Sequence, residues 1–312
     1  MMQRTALLFA GQGAQYVGMG RDFAEHCPSA KSWFERAREL LGYDLPAVCF
    51  EGPEPELIRT ENAQPAIFLV SWIALQLLKE RLPGMDYHAS AGLSLGELTA
   101  LTAGGVFSFE DGLRIARQRG RFMQEACELT QGGMAAVLAL DIEKMRAVCL
   151  EADVDMANLN CPGQIVISGQ SDKVAKACEL AKAAGAKRAV MLPVAGAYHS
   201  RLMVSAQPKV QAMLEKVPMN KPSMMVIANV SARPHSDPPE IRVRLTEQVI
   251  RSVRWEDSIR YLIDQGFTRF IELGPGTALS GFVKRIDRNV RTYSVADVPR
   301  LEATVAALKA EG

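Results

Sequence analysis

Apolar runs of four to six residues alternate along this chain with amphipathic stretches of ten or more, and that alternation constrains the fold more than any other feature. A short apolar run suits a strand buried on both faces, and a longer amphipathic stretch suits a helix laid across it. A chain that repeats the pair builds βα units around a mostly parallel sheet. Thr5–Phe9 reads as the first strand, running into Gly11-Gln12-Gly13. Helical spacing follows over Lys31–Leu41 and from Gln64 to about Arg81, the second so apolar that it reads as a buried helix. His88–Ala91 reads as a strand ending at Gly92-Leu93-Ser94, followed by helical stretches over Glu97–Ala103 and Phe109–Cys127. Arg269–Leu273 is a strand entering Gly274-Pro275-Gly276, with a helix from Thr277 to Ile286.

The middle of the chain has a different order. Gly133–Leu140 reads as strand, Ile142–Glu151 as helix, and Val154–Asn160 and Gln164–Ser168 as strands. Ser171–Ala184 then reads as helix and Lys187–Leu192 as a last strand. The order β-α-β-β-α-β is the ferredoxin-like pattern, a small sheet with two helices on one face. The expected architecture is therefore α/β: a large α/β-hydrolase-like domain at 1–129 and 198–312, with a mostly parallel sheet, and an inserted ferredoxin-like subdomain at 130–197. A chain of 312 residues can bury a core of that size.

Composition narrows the function classes. Lys and Arg exceed Asp and Glu by one, which argues against a protein that coats nucleic acid or an anionic membrane. Ala66–Leu78, the longest apolar run, is too short to span a bilayer, and the residues after Met1 lack the apolar stretch of a signal peptide, so a cytoplasmic protein is expected. Six scattered cysteines without a C-x-x-C pair, beside four histidines, read as separate reduced thiols with no zinc site. No large apolar stripe is left for a partner subunit, and a monomer is expected.

Gly92-Leu93-Ser94-Leu95-Gly96 matches G-x-S-x-G at a strand-to-helix junction. A serine on so sharp a turn needs small residues two positions either side, and the helix that follows aims its first N–H groups at the same spot. Serine also needs a base. His26 lies on a charged helix and His235 in the polar Pro234–Pro239 loop, so both read as solvated. His88 opens the strand that ends at Ser94, at its far end. His199 follows Ala195-Gly196-Ala197-Tyr198, where the small subdomain returns to the large one, and domain junctions are where clefts form. No acid flanks His199 to complete a triad, and a satisfied core histidine is equally consistent with its position. Arg119, taken alone, reads as one solvated helix arginine among Arg114, Arg117 and Arg121.

Six motifs together resemble the malonyl-CoA:acyl-carrier-protein transacylase family. Phe9-Ala10-Gly11-Gln12-Gly13-Ala14-Gln15 is similar to that family's F-x-G-Q-G-x-Q opening and Gly92–Glu97 to its G-x-S-L-G-E elbow. Arg119-Gly120-Arg121-Phe122-Met123-Gln124 resembles R-G-x-x-M-Q, and Asn158–Gln164 resembles N-x-N-x-P-x-Q. Gly196-Ala197-Tyr198-His199-Ser200 is similar to G-A-F-H-S and Glu272–Gly276 to E-x-G-P-G.

The resemblance implies malonyl transfer for fatty-acid biosynthesis, from malonyl-CoA to the phosphopantetheine thiol of an acyl carrier protein, through a malonyl-serine and without a cofactor or metal. Ser94 would be the nucleophile, His199 the base, and the Leu95 and Gln12 amides the oxyanion hole. Arg119 would bind the malonyl carboxylate, with Gln12, Met123, Tyr198, Asn160 and Arg254 as further substrate-binding positions. A backbone carbonyl at the position of Arg254 would hold His199 in place of an acid. The acidic carrier would dock on a basic face near Lys187, Arg188, Arg201, Lys284 and Arg285. The chain departs from the pattern at Leu93, Tyr198 and Ser252, where histidine, phenylalanine and proline are common.

Three alternatives stay open: a serine hydrolase, for which G-x-S-x-G serves equally well; a non-catalytic subunit of a larger synthase; and a transferase serving polyketide rather than fatty-acid assembly.

Overall fold

Residues 4–194 and 196–311 are described in the computed structural model of the chain. Met1–Gln3, where a signal peptide would begin, and Ala195, in the return from the small subdomain, lie outside the described residues, as does Gly312.

The larger of two sheets is built from β1 (Arg4–Phe9), β2 (Ala89–Gly92), β7 (Met225–Ala228), β8 (Arg233–Pro234), β9 (Phe267–Leu273) and β10 (Arg291–Val295), in the order β10-β9-β1-β2-β7-β8. All neighbours are parallel except the short β7–β8 pair. The central strands are buried along nearly their whole length, as continuous apolar runs covered by helices on both faces require. The helix Thr60–Arg81 packs its apolar surface on almost every side. It starts four residues before the expected Gln64.

The second sheet holds β3 (Gly132–Leu138), β4 (Asp155–Cys161), β5 (Gln164–Gln170) and β6 (Arg188–Met191), antiparallel in the order β4-β5-β3-β6. The helices Ile142–Ala152 and Ser171–Ala183 share a separate core with it, including Val137, Ile167, Met145, Val174 and Ala181. This strand order with two helices is the ferredoxin-like arrangement read from the sequence. Where the chain passes Ser252–Arg254, it is stitched to β4. The Val253 N–H donates to Ala157 O at 2.8 Å, Leu159 N–H donates to Val253 O at 2.9 Å, and Ser252 Oγ donates to Met156 O.

Four neighbouring strands, β9, β1, β2 and β7, end together at their carboxyl edge. There they deliver Gly274, Gln12, Ser94 and Asn229 side by side, at the edge where open α/β sheets bind their ligands.

Candidate active site

The turn at Ser94 is as tight as the G-x-S-x-G pattern demands. A Cβ added to Gly92 would sit 1.9 Å from the Gly96 carbonyl carbon, and one added to Gly96 would sit 2.2 Å from Phe9 O. Ser94 itself takes φ +54°, in the left-handed region that an L-residue occupies only when its surroundings enforce it. Asn229 is part of that enforcement. Its Oδ1 accepts from Ser94 N–H at 2.7 Å and its Nδ2 donates to Gly92 O at 2.7 Å, which clamps both sides of the elbow.

His199 approaches from the far side of the fold, also at positive φ (+58°), and lies 2.7 Å through Nε2 from Ser94 Oγ. Its Nδ1 is 2.7 Å from the carbonyl oxygen of Gln248. A carbonyl only accepts, so Nδ1 carries the proton and Nε2 is left as the acceptor for the serine hydroxyl. Burial, and then the charge of Arg119, bring the imidazole down to about 4, so it is neutral and ready to take a proton at neutral pH. This corrects the expectation for Arg254. The carbonyl behind His199 belongs to Gln248, six residues earlier, whereas Arg254 O is taken by Ser258 and the exposed Arg254 side chain pairs with Asp257 at 2.8 Å. Arg254 therefore holds neither the base nor the cavity wall.

Arg119 is only 2% exposed, far from the solvated arginine that its neighbours suggest. The helix Phe109–Glu128 starts cleanly, with Ser108 accepting from Asp111 N–H, and runs close to the helix Thr60–Arg81. That approach aims Arg119 inward. One terminal nitrogen donates to Gln64 Oε1 at 2.7 Å, and the other donates to Gln248 Oε1 at 2.8 Å and Ser94 Oγ at 3.2 Å. Arg119 Nε is buried without an acceptor among the described residues. Burial lowers the guanidinium to about 10, and it keeps its charge at neutral pH.

A cavity of about 870 Å³ opens onto Ser94 and His199, with Gln12, Met123, Tyr198 and Asn160 in its wall. That is ample for an acyl group and a pantetheine arm. The Tyr198 hydroxyl bonds to Thr60 Oγ1 and accepts from Gln12 Nε2 at 3.3 Å, so the extra oxygen at this position is tied to the Gln12 side chain. Neither the Gln12 nor the Leu95 backbone N–H has an acceptor among the described residues, leaving two donors beside Ser94.

Residues outside the sequence motifs complete the site. Gln64 links Arg119 to Gln12, and its one signal was a polar side chain at the head of an apolar helix. Gln248 gave none. His235 is the reverse case: read as a solvated loop residue, it has a fully buried side chain against Glu97. His26 is exposed, and His88 accepts from Thr5 N–H away from the elbow. Of the basic residues expected to form a docking face, Arg201 is already bound to Asp153 and Asp155, and Arg285 is tied to Gln164 and Pro162.

The chain matches the family model described as "Acyl transferase domain" over residues 6–307. It is 44% identical over 315 residues to the malonyl CoA-acyl carrier protein transacylase of Bacillus subtilis, covering 99% of each chain. Among solved structures, the malonyl CoA-acyl carrier protein transacylase of Coxiella burnetii superposes with a TM-score of 0.94 at 34% identity, covering 98% of each chain. A malonyl-transacylase solved in complex with a type II PKS acyl-carrier protein gives 0.94 at 35% identity, covering 98% of this chain and 100% of that one. With a serine on a sharp elbow, a histidine on it and a buried arginine beside it in a fold matched along nearly its whole length, this chain belongs to the malonyl-CoA–acyl carrier protein transacylase family of acyl transferase domains.

Proposed function

We propose that the chain moves a malonyl group from malonyl-CoA to the phosphopantetheine thiol of an acyl carrier protein, with Ser94 as nucleophile and His199 as base. The observation that carries this reading is the hydroxyl of Ser94 set between His199 Nε2 and Arg119. A base activates the nucleophile there, and a buried cation waits for a carboxylate at acyl distance.

His199 Nε2 takes the Ser94 proton as Oγ attacks the thioester carbon, and the oxyanion lies toward the Leu95 and Gln12 amides. The C–S bond then breaks, and the coenzyme A thiolate recovers the proton from His199. In the second half the carrier thiol gives its proton to His199 and attacks the malonyl-serine carbonyl, and Ser94 Oγ leaves with that proton. A carbonyl behind His199 suffices, because a thiolate is a good leaving group and the exchange of one thioester for another is nearly isoenergetic. No cofactor or metal has a part in either half. Arg119 recognises the acyl tail. Its open Nε and the nitrogen now on Ser94 Oγ form one edge, which a carboxylate grips with two parallel hydrogen bonds. Met123 and Tyr198 wall the acyl end. Asn160, whose Oδ1 has no partner among the described residues, suits an N–H of the pantetheine arm.

The carrier is proposed to dock where Lys187, Arg188 and Lys284 remain exposed, beside Arg285, with the chain acting as a cytoplasmic monomer in fatty-acid assembly. No helix among the described residues is long and apolar enough to cross a membrane. Carrier affinity is expected to fall with added salt, and titration at two ionic strengths checks it; an unchanged affinity excludes a charged docking face.

Intact mass after mixing with malonyl-CoA alone tests the chemistry. The expected result is a gain of one malonyl group, discharged by added carrier protein. Release of free malonate and coenzyme A without an adduct would instead mark a hydrolase. Because His199 must be neutral to act and titrates near 4, the adduct should form at an unchanged rate from pH 8 to about 5.5 and slow below about 4.

A further inference from the structure

Behind the nucleophile, Gln248 serves four residues at once. Its carbonyl holds His199, its Oε1 accepts from Arg119, and its Nε2 donates to Ser94 O at 3.0 Å and to Glu97 Oε2 at 2.7 Å. An amide can be turned end for end, and a turned Gln248 would set two N–H donors against the Arg119 guanidinium. Glu97 prevents that, since its Oε2 stands there as an acceptor. The same Oε2 accepts from Asn229 N–H at 3.0 Å, which places Asn229 for its clamp on the elbow.

The wholly buried Glu97 faces His235, whose Nε2 lies 2.8 Å from Glu97 Oε1 while its Nδ1 lies 3.2 Å from Glu240 Oε2. With both ring nitrogens facing carboxylates, both carry protons, and the ring is an imidazolium. Arg244 closes the row on Glu240 Oε1 at 2.8 Å. Charges therefore alternate from Arg119 through the Gln248 amide to Glu97, His235, Glu240 and Arg244. A buried carboxylate without its partner is costly, so the pieces of such a row stand or fall together.

We propose that Glu97, His235 and Glu240 form a positioning triad, which fixes the direction of the Gln248 amide and so holds Arg119 and the Ser94 elbow in place for acyl transfer. This rests on Ser94 and His199 being nucleophile and base. The charged groups facing His235 are Glu97, from the helix Gly96–Ala103, and Glu240, from the helix Pro238–Gln248; Arg244 acts through Glu240 and Arg119 through Glu97. Burial works against the His235 charge, but the hydrogen bonds that the ring donates to Glu240 and Glu97 outweigh it and push the ring up to about 9. The triad is thus intact at neutral pH and comes apart as pH rises through about 9.

The test follows kcat, malonyl-CoA KM and selectivity over acetyl-CoA from pH 6 to 10.5, with the unfolding temperature, in wild type, Glu240→Gln and His235→Gln. Glu240 is partly exposed, so its amide variant should fold even if the buried His235→Gln does not. Expected is an alkaline fall near pH 9 in wild type, moved down by about one pH unit in Glu240→Gln, where one of two carboxylates is lost. His235→Gln should lack that fall and show kcat lowered about 10²-fold with malonyl selectivity reduced about 10-fold. A folded Glu240→Gln with the wild-type alkaline limb and selectivity would overturn the proposal, whatever its unfolding temperature. Ser94→Ala run in parallel separates the two readings. Activity surviving there removes the nucleophile assignment, whereas its loss beside an unmoved Glu240→Gln profile removes the triad alone.

Discussion

Ser94→Ala should abolish malonyl transfer, by at least about 10⁴-fold, and should abolish the covalent adduct with it. Among the described residues lining the cavity there is no cysteine, lysine, threonine or second serine, and the Tyr198 hydroxyl is held by Thr60 and Gln12. His199 faces Ser94 with the nitrogen that accepts the proton, and all six cysteines are buried and unpaired. The variant should remain folded, because the backbone N–H of residue 94 keeps its bond to Asn229 and only the two side-chain contacts to His199 and Arg119 are lost. Stability within about 1 kcal/mol of wild type is expected. An adduct found on Ser94→Ala would place the nucleophile elsewhere, and peptide mapping would find it.

Arg119→Ala should separate the acyl groups. Two charge-assisted hydrogen bonds to a desolvated carboxylate are worth about 3–6 kcal/mol together, so kcat/KM for malonyl-CoA should fall about 10²–10⁴-fold. Acetyl-CoA has no carboxylate to lose and should be affected far less. In wild type it would leave the buried guanidinium charge without a carboxylate and Nε without an acceptor, so acetyl groups should be disfavoured. Truncation also leaves Gln64 Oε1 and Gln248 Oε1 without their donor, so the variant should be less stable by about 2–4 kcal/mol. Steady-state kinetics with both thioesters, below the variant's unfolding temperature, decide the point; an equal loss for malonyl and acetyl groups would mean that Arg119 only supports the fold. A second expected change, if the arginine holds the acyl tail so that its carbonyl is shielded until the carrier arrives, is faster hydrolysis of the malonyl-enzyme.

Much of this site was legible before any coordinates. The elbow was, because its requirement is local: small residues two positions from Ser94, between a strand and a helix, and the contacts of Gly92 and Gly96 are the reason for them. Arg119 was not legible by spacing, since a helix carrying Arg114, Arg117 and Arg121 gives no sign of which arginine turns inward; only the resemblance singled it out. Gln248 was missed altogether. Its oxygen does for His199 what an acid does in a triad, yet a backbone carbonyl leaves no mark on the residue type. His235 was misread because its neighbours Pro234, Ser236, Asp237 and Pro238 have the composition of a solvated loop.

Sequence alone therefore determined the features set by near neighbours: the alternation of strand and helix, the ferredoxin-like order in the middle and the sharp turn at Ser94. Tertiary structure alone decided which carbonyl stands behind that turn's histidine, His199, which histidine is buried against Glu97, and which charges stand in a row. Periodicity and turn chemistry act over a few residues, so they can be read locally. The pairing of Glu97 with His235 spans 138 positions and that of Ser94 with Gln248 spans 154, and such partners are chosen by where the sheets and helices pack.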